Sequence, residues 1–340
     1  MVRIILKKIL ILLLSLTLCG CTEKNTDPEP ESAEFFAMDT YITVTAYGDK
    51  SALSEAENRV KELEKLLSVT DENSEIYAIN HGSSVELSSD TKNVISFALD
   101  MANATNGALE PTIYPVLKAW GFTTNNYRIP ESDEISRLLR NVGYERVNIT
   151  DNSLSLPKDM ELDLGAVAKG YAGDEAIKVL KEHGVTSALI NLGGNVQTVG
   201  TKPNGDLWRV GLKAPWSEGN IGVLEISDSA VITSGNYQRY FTGEDGKKYH
   251  HIIDTSTGSP ADSGLTSVTV VGRKGKMCDA LSTALFVMGA DDAIEYWRHN
   301  DHFEMILITN KNEIFLTEGL ESSFVLRDEY SDCQITVVRK

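Results

Sequence analysis

Apolar positions recur first with the period of a strand and then with that of a helix, and these two rhythms organise the front of the chain. Over residues 35–47, Tyr41, Thr43 and Thr45 alternate with Ile42, Val44 and Ala46, which predicts one strand. Leu53, Ala56, Val60, Leu63 and Leu67 then fall on one helical face, with Ser51 or Ser54 placed to cap it and Glu/Lys pairs on the opposite face. Further helices are predicted over residues 92–104, stopped by Asn106-Gly107, and over residues 132–141, stopped by Gly143. Short strands are predicted at residues 147–149 and 153–156.

Residues 163–183 read as a loop running into a long helix, with Val167, Tyr171, Ile177 and Leu180 on the buried side and Gly184 at its stop. Strand-like runs follow at residues 187–192, 207–212, 222–226, 230–233, 249–254 and 266–271, then helices over 279–288 and 291–299 and paired strands over 304–308 and 313–316. This spacing predicts an α+β fold with mostly antiparallel sheets rather than a βαβ array.

The first residues change the picture of where folding begins. Arg3, Lys7 and Lys8 precede an uncharged apolar run over residues 9–18, too short to span a bilayer, which ends in Leu18-Cys19-Gly20-Cys21. That pattern predicts a lipoprotein signal peptide over residues 1–20, acylation of Cys21, a polar tether over 21–34 and a folded domain over 35–340. The expected location is the extracytoplasmic face of the cell membrane. An ordinary signal peptide with two incidental cysteines is the plainer alternative. After processing, about 300 residues remain, enough for one large domain or two intimately joined lobes.

Charge and cysteine content exclude some classes of function. The net charge of −17 is contrary to what a nucleic-acid backbone requires, so no nucleic-acid partner is expected. Cys278 and Cys333 are the thiols left beside the anchor and encode no disulfide framework. No cluster of Cys and His has zinc spacing, so a metal here requires oxygen ligands.

Four segments carry candidate chemistry. In Met277-Cys278-Asp279-Ala280-Leu281-Ser282-Thr283, Asp279 is read as opening a helix and Thr283 lies one turn on, so a carboxylate and a hydroxyl share a face. Mg²⁺ takes such hard oxygens and completes its shell with phosphate and water; capping by Asp279 is the alternative on this segment alone. Residues 161–171 place Asp163, Gly165 and Lys169 around a helix start, where backbone amides and a lysine favour phosphate. A solvated lysine and a capping aspartate describe the same residues equally well. Asn191-Leu192-Gly193-Gly194-Asn195 reads either as a close backbone approach to a ligand or as a plain strand-end turn. Around Asp245-Gly246, a hairpin signal, lie Thr233-Ser234-Gly235 and residues 250–260; on a strand His251 and Ile253 share one face, and His251 suits proton transfer from a hydroxyl. A structural histidine pair is the other reading.

Taken in order, Met38-Asp39-Thr40, Gly107-Ala108-Leu109-Glu110-Pro111-Thr112, Trp120-Gly121-Phe122, residues 163–171, Gly193-Gly194-Asn195, Thr233-Ser234-Gly235, residues 251–260 and residues 279–283 resemble the FAD:protein FMN transferases of the ApbE family, flavin-transferring lipoproteins. The resemblance spans nearly the whole mature chain. It implies two joined α/β subdomains with FAD, as substrate, in the cleft between them. It places Met38 near the flavin and Ala108, Leu109 and Glu110 in the dinucleotide wall, and it puts Asp163 and Lys169 on FAD. It assigns Mg²⁺ to the Ala166 carbonyl, Asp279 and Thr283, with Ser282 as an assisting residue, lines the isoalloxazine or adenine pocket with Ile253 or its neighbour, and makes His251 the favoured candidate for the base.

Its reaction is transfer of FMN from FAD to a Thr or Ser hydroxyl of an acceptor flavoprotein, such as a membrane electron-transfer subunit, with release of AMP. Glu110 stands where the family commonly has aspartate, Thr70 where a flavin-stacking aromatic is frequent, and Thr255 follows Asp254 in place of proline. Hydrolysis of FAD to FMN and AMP, and flavin capture without chemistry, are the competing functions.

Overall fold

The computed structural model describes residues 29–151 and 153–340; the expected signal peptide and Cys21 lie outside the described residues. In chain order the strands are β1 (Glu31–Ala37), β2 (Thr40–Tyr47), β3 (Asn148–Thr150), β4 (Ser153–Ser155), β5 (Ser187–Leu192), β6 (Asn195–Val199), β7 (Trp208–Lys213), β8 (Asn220–Ile226), β9 (Ala230–Gly235), β10 (Tyr240–Thr242), β11 (Lys248–His250), β12 (Ile253–Asp254), β13 (Ser259–Pro260), β14 (Leu265–Gly272), β15 (Phe303–Thr309), β16 (Ile314–Thr317), β17 (Phe324–Leu326) and β18 (Ile335–Val338). The helices are α1 (Lys50–Leu67), α2 (Glu75–Asn80), α3 (Ser89–Ala104), α4 (Tyr114–Trp120), α5 (Ser132–Leu138), α6 (Gly165–Glu182), α7 (Gly275–Met288) and α8 (Ala290–Arg298).

Nine strands form one sheet in the order β1-β2-β5-β6-β9-β14-β15-β16-β18. Every neighbouring pair in it is antiparallel except β16 with β18. The α+β expectation therefore holds, and the two lobes share this sheet. Helices cover one face in two apolar cores. One packs α1, α3 and α6 on β2 and β5 through residues such as Leu63, Ile95, Leu180 and Ile190. The other packs α7 and α8 on β14 and β15 through Leu285, Phe286, Trp297 and Leu307. The opposite face carries a small sheet, ordered β17-β8-β7, on a third core that includes Val210, Leu224 and Ile306. A fourth cluster of Trp120, Phe122, Ile135 and Ile253 gathers α4, α5 and the β12 segment. Each fully buried Leu or Ile in these cores contributes about 1.5–3 kcal/mol over its exposed state.

Several expectations change. Residues 35–47 form a hairpin, not one strand: β1 and β2 meet at Met38 and Asp39, whose φ angles are 54° and 56°. Two positive φ values define a two-residue hairpin turn that ordinarily uses Asn or Gly, so Met-Asp gave no turn signal. Residues 31–34, read as the end of the tether, are the first half of β1. Asp49 rather than Ser51 or Ser54 caps α1, accepting the Ser51 amide at 2.8 Å. Ser88 caps α3, which begins three residues before the expected start, and the end of the 132–141 helix tightens to a 3₁₀ turn after Leu138. Ile177 is only half-buried, and Ala176 faces the core beside it.

The 249–254 run breaks after His250, so His251 sits in the bend between β11 and β12 rather than on a strand. The helix expected to open at Asp279 begins at Gly275, because Asp174 of α6 accepts the amides of Gly275 (2.6 Å) and Lys276 (3.0 Å). Capping from another helix leaves no local sequence signature. The chain also does not close at β16: β17 joins the small sheet, and β18 adds a parallel edge strand.

Candidate functional site

The cleft is built from the start of α6 upward. Asn80 clamps the preceding loop: its Nδ2 donates to the Leu162 carbonyl at 2.9 Å and its Oδ1 accepts the Leu162 amide at 2.7 Å. The Asp163 amide donates to the Pro111 carbonyl at 2.8 Å, tying the loop to the 107–112 segment. Held in this way, Asp163 Oδ1 accepts the Gly165 amide at 2.8 Å at the entry to α6. Burial raises the Asp163 carboxyl above its ordinary pKa, opposed by the Gly165 amide and by the charges of Lys169 and Arg239. Lys169 lines the cleft and makes no ion pair among the described residues. An α-helix start and an unpaired lysine on one wall favour an anion.

α7 crosses α6 at glycines. A Cβ on Gly170 would lie 2.4 Å from the Gly275 carbonyl oxygen and 2.7 Å from Asp279 Cβ. Gln197 Nε2 donates to the Gly170 carbonyl at 3.0 Å from the sheet below. This close approach lets Asp279 Oδ2 accept the Gly170 amide at 2.8 Å. Gly170 lies four residues on from Ala166, whose carbonyl is the ordinary partner of that amide in a regular helix. Asp279 Oδ1 has no hydrogen-bond partner among the described residues, and burial pushes the Asp279 carboxyl up to about 6, with Lys169 pulling the other way. One turn on, Thr283 Oγ1 lies 3.2 Å from Ser234 Oγ of β9.

Asp279, Thr283 and Ala166 all line the same cleft. A desolvated carboxylate with a spare oxygen, a hydroxyl and a main-chain carbonyl are hard oxygens of the kind Mg²⁺ takes. Ser282 is not part of that wall. It is fully buried, donates to the Asp279 carbonyl at 2.9 Å and lies 2.8 Å from Ser234 Oγ.

His251 occupies another part of the same cleft. Its main-chain amide (3.2 Å) and its Nδ1 (3.1 Å) both meet the Arg239 carbonyl. A carbonyl only accepts, so Nδ1 carries the proton and Nε2 keeps its lone pair. The Phe122 ring stands edge-on at 6.4 Å, and burial pushes the imidazole down to about 4, helped by the nearby charges of Arg239 and Lys169. His251 is therefore neutral at pH 7. Its neighbour His250 is turned into the core, with Nε2 on the Ala261 carbonyl at 3.1 Å.

The remaining expected contacts also line the cleft of about 840 Å³: Met38, Thr70, Ala108, Leu109, Glu110 and Ile253. Glu110 spends its oxygens internally, accepting the Thr112 amide (2.9 Å), the Thr112 hydroxyl (2.7 Å) and the Tyr144 amide (3.1 Å). Burial raises its pKa, and its role is to shape the 107–112 wall. Thr70 is exposed on the loop after α1 and offers a hydroxyl in place of an aromatic face. Arg239 was missed, and Ser234 was given no role. Ser234 stood in the Thr233-Ser234-Gly235 segment without a role of its own and matters because β9 lies beside α7, whereas Arg239 has no motif and matters because its carbonyl orients His251.

The fold and this cleft define an α+β protein built to hold a phosphate-bearing ligand beside an oxygen-ligand site and a neutral histidine. The sequence profile of the ApbE family matches residues 38–307, and the chain belongs to that family. The FAD:protein FMN transferase of Klebsiella pneumoniae (strain 342) is 33% identical over 289 residues, covering 82% of this chain and 89% of that protein. The FAD:protein FMN transferase of Treponema pallidum (strain Nichols) is 30% identical over 292 residues, covering 79% and 80%. Among solved structures, the ApbE protein of Thermotoga maritima matches with a TM-score of 0.82 at 31% identity, over 87% of this chain and 99% of that one. The apo flavinyl transferase ApbE of Pseudomonas stutzeri matches at 0.74 and 27% identity, over 83% and 92%.

Proposed function

We propose that this chain transfers the FMN half of FAD to a Thr or Ser hydroxyl of an acceptor flavoprotein and releases AMP. The observation that carries this reading is that His251, with its lone pair on Nε2, lines one cleft with Lys169 and the Asp279–Thr283 pair. The cleft volume is at the upper end of the range for small-molecule sites, about 300–1,000 Å³.

In the reaction the acceptor oxygen bonds to the FMN-side phosphorus, the bond from that phosphorus to the bridging oxygen breaks, and AMP leaves with the bridging oxygen. The acceptor proton passes to His251 Nε2. Lys169 and the positive end of the α6 dipole hold the diphosphate in place and offset its charge. Asp279, Thr283 and the Ala166 carbonyl would hold Mg²⁺, which when bound neutralises phosphate charge. The flavin ring is cargo, seated against Ile253 and Met38, so no redox step is required. Cys21 as a lipid anchor, with the domain on the extracytoplasmic face and a membrane electron-transfer subunit as acceptor, belongs to the same proposal.

The test is incubation of the protein with FAD, Mg²⁺ and a threonine-bearing acceptor protein. The expected result is an acceptor band that fluoresces under ultraviolet light, with AMP formed in equal amount. Soluble FMN without a labelled band identifies a hydrolase, and FAD recovered intact identifies a binder.

A further inference from the structure

A second cavity of about 350 Å³ adjoins the cleft, sharing Gly193, Thr233 and Gln238 with it. The junction is flanked by the two groups the reaction needs. Thr233 precedes Ser234, whose hydroxyl lies 3.2 Å from Thr283 Oγ1, and Gln238 precedes Arg239, whose carbonyl orients His251.

The far wall of this cavity is β7, contributing Val210, Gly211, Leu212 and Lys213. β7 ends the small sheet and, among the described residues, pairs only with β8. The direction of its main chain follows from β8. The Glu225 amide donates to the Ser323 carbonyl at 2.9 Å and the Arg327 amide to the Ile221 carbonyl at 3.0 Å, so the odd-numbered residues of β8 turn toward β17 and the even-numbered toward β7. Leu224 and Ile226 therefore bond Val210 and Trp208, opposite which they sit in register. Arg209 and Gly211 aim their amides and carbonyls outward, with no main-chain partner on that side among the described residues. Both are exposed, whereas Trp208, Val210 and Leu212 are buried, and Gly211 has no side chain to block approach.

Resting on the transferase reading, we propose that the outer edge of β7 docks the acceptor. An extended segment of the acceptor adds as a strand beside β7, bonds Arg209 and Gly211, and runs through the second cavity to bring its hydroxyl past Thr233 to His251. An open edge recognises main chain and leaves side chains to be sorted by alternation. A polypeptide is the occupant because the cavity is continuous with a site whose second substrate is a protein hydroxyl. Residues of the added strand that face inward meet Val196 and Val231, so the segment should be apolar at alternate positions there.

The experiment compares Gly211→Pro with Gly211→Ala in the full chain. Proline removes the outward amide without touching the β7–β8 pairs. Alanine keeps the amide, and its Cβ meets only the end of the Asn220 side chain, 2.2 Å from the present position of Nδ2. The expected outcome is a rise of at least about ten-fold in the acceptor KM for Gly211→Pro, one lost bonding position on an edge, with FAD affinity kept and Gly211→Ala near wild type. Hydrogen exchange at residues 209–211 of the wild type should also slow on adding acceptor. A Gly211→Pro variant with unchanged acceptor KM, or edge amides that exchange equally fast with and without acceptor, overturns the docking edge even when transfer is normal. Failure of the wild type to label any acceptor instead overturns the transferase reading itself.

Discussion

Asp279 on α7 accepts the amide of Gly170 on α6 at 2.8 Å, a bond that joins two helices 109 residues apart in sequence. It exists because Gly170 and Gly275 let the helices approach without side chains between them, and because Asp174 starts α7 on amides that its own sequence does not cap. The same bond fixes the Asp279 carboxylate in the wall of the cleft. Fold and site are thus coupled at one crossing.

Replacing Asp279 with Ala should remove at least about 100-fold of AMP release, the loss expected when a hard-oxygen ligand worth several kcal/mol of charge stabilisation is deleted. FAD binding should survive in weakened form, since Lys169 and the positive end of the α6 dipole remain. Steady-state AMP formation alongside equilibrium FAD titration checks this; unchanged turnover removes Asp279 from the metal set.

Gly170→Ala tests the crossing without touching a candidate ligand. Its Cβ would press on the Gly275 carbonyl and on Asp279 Cβ, and overpacking of this kind costs about 1–3 kcal/mol. A lower denaturation midpoint and weaker Mg²⁺ affinity should appear together. A variant as stable as the wild type would mean that the helices are free to part at this point.

How much of this was legible in sequence depends on range. Helices with a strong apolar stripe, such as α1 and α6, and strands such as β5 and β14 were readable because their signals lie within a few residues. The spacing of Asp279 and Thr283 was readable for the same reason, and Gly193-Gly194 proved to be both the β5–β6 turn and, through Gly193, part of the cleft wall. The Met38–Asp39 turn, the start of α7 and the roles of Ser234 and Arg239 were not readable. Each depends on a partner distant in the chain: Glu64 for Met38, Asp174 for α7, Thr283 for Ser234 and His251 for Arg239. Ser282 misled because its place in a conspicuous motif says nothing of its side chain, which is sealed against Ser234.

The depressed pKa of His251 sets a pH expectation. The imidazole accepts a proton only when neutral, so with Mg²⁺ saturating, kcat/KM should hold from neutrality downward and fall as pH drops through about 4, not through the usual histidine value. Between those two values the unfolded chain binds the proton and the native chain does not. This histidine therefore costs stability progressively as pH falls across that window. His251→Ala should slow transfer by about 10²–10⁴-fold with Mg²⁺ binding intact and should abolish the acid limb. A limb that persists in the variant would move the base to another group.

Met38 offers a case in which stability and function pull apart. It holds φ at 54° in the β1–β2 turn, and its amide donates to Glu64 Oε1 at 2.5 Å. A non-glycine residue in this region costs about 1–2 kcal/mol, and strain of this kind persists where a site requires a particular side chain. Met38→Gly relieves the strain and keeps the amide bond to Glu64, so the denaturation midpoint should hold or rise. The thioether is lost from the cleft wall, however, and the FAD KM should increase several-fold with kcat little changed, because the proposed reaction places the phosphorus beside Lys169 and the start of α6 rather than beside Met38. A midpoint that falls would show that Met38 is kept for packing of the hairpin, and an unchanged FAD KM would place the flavin ring elsewhere in the cleft.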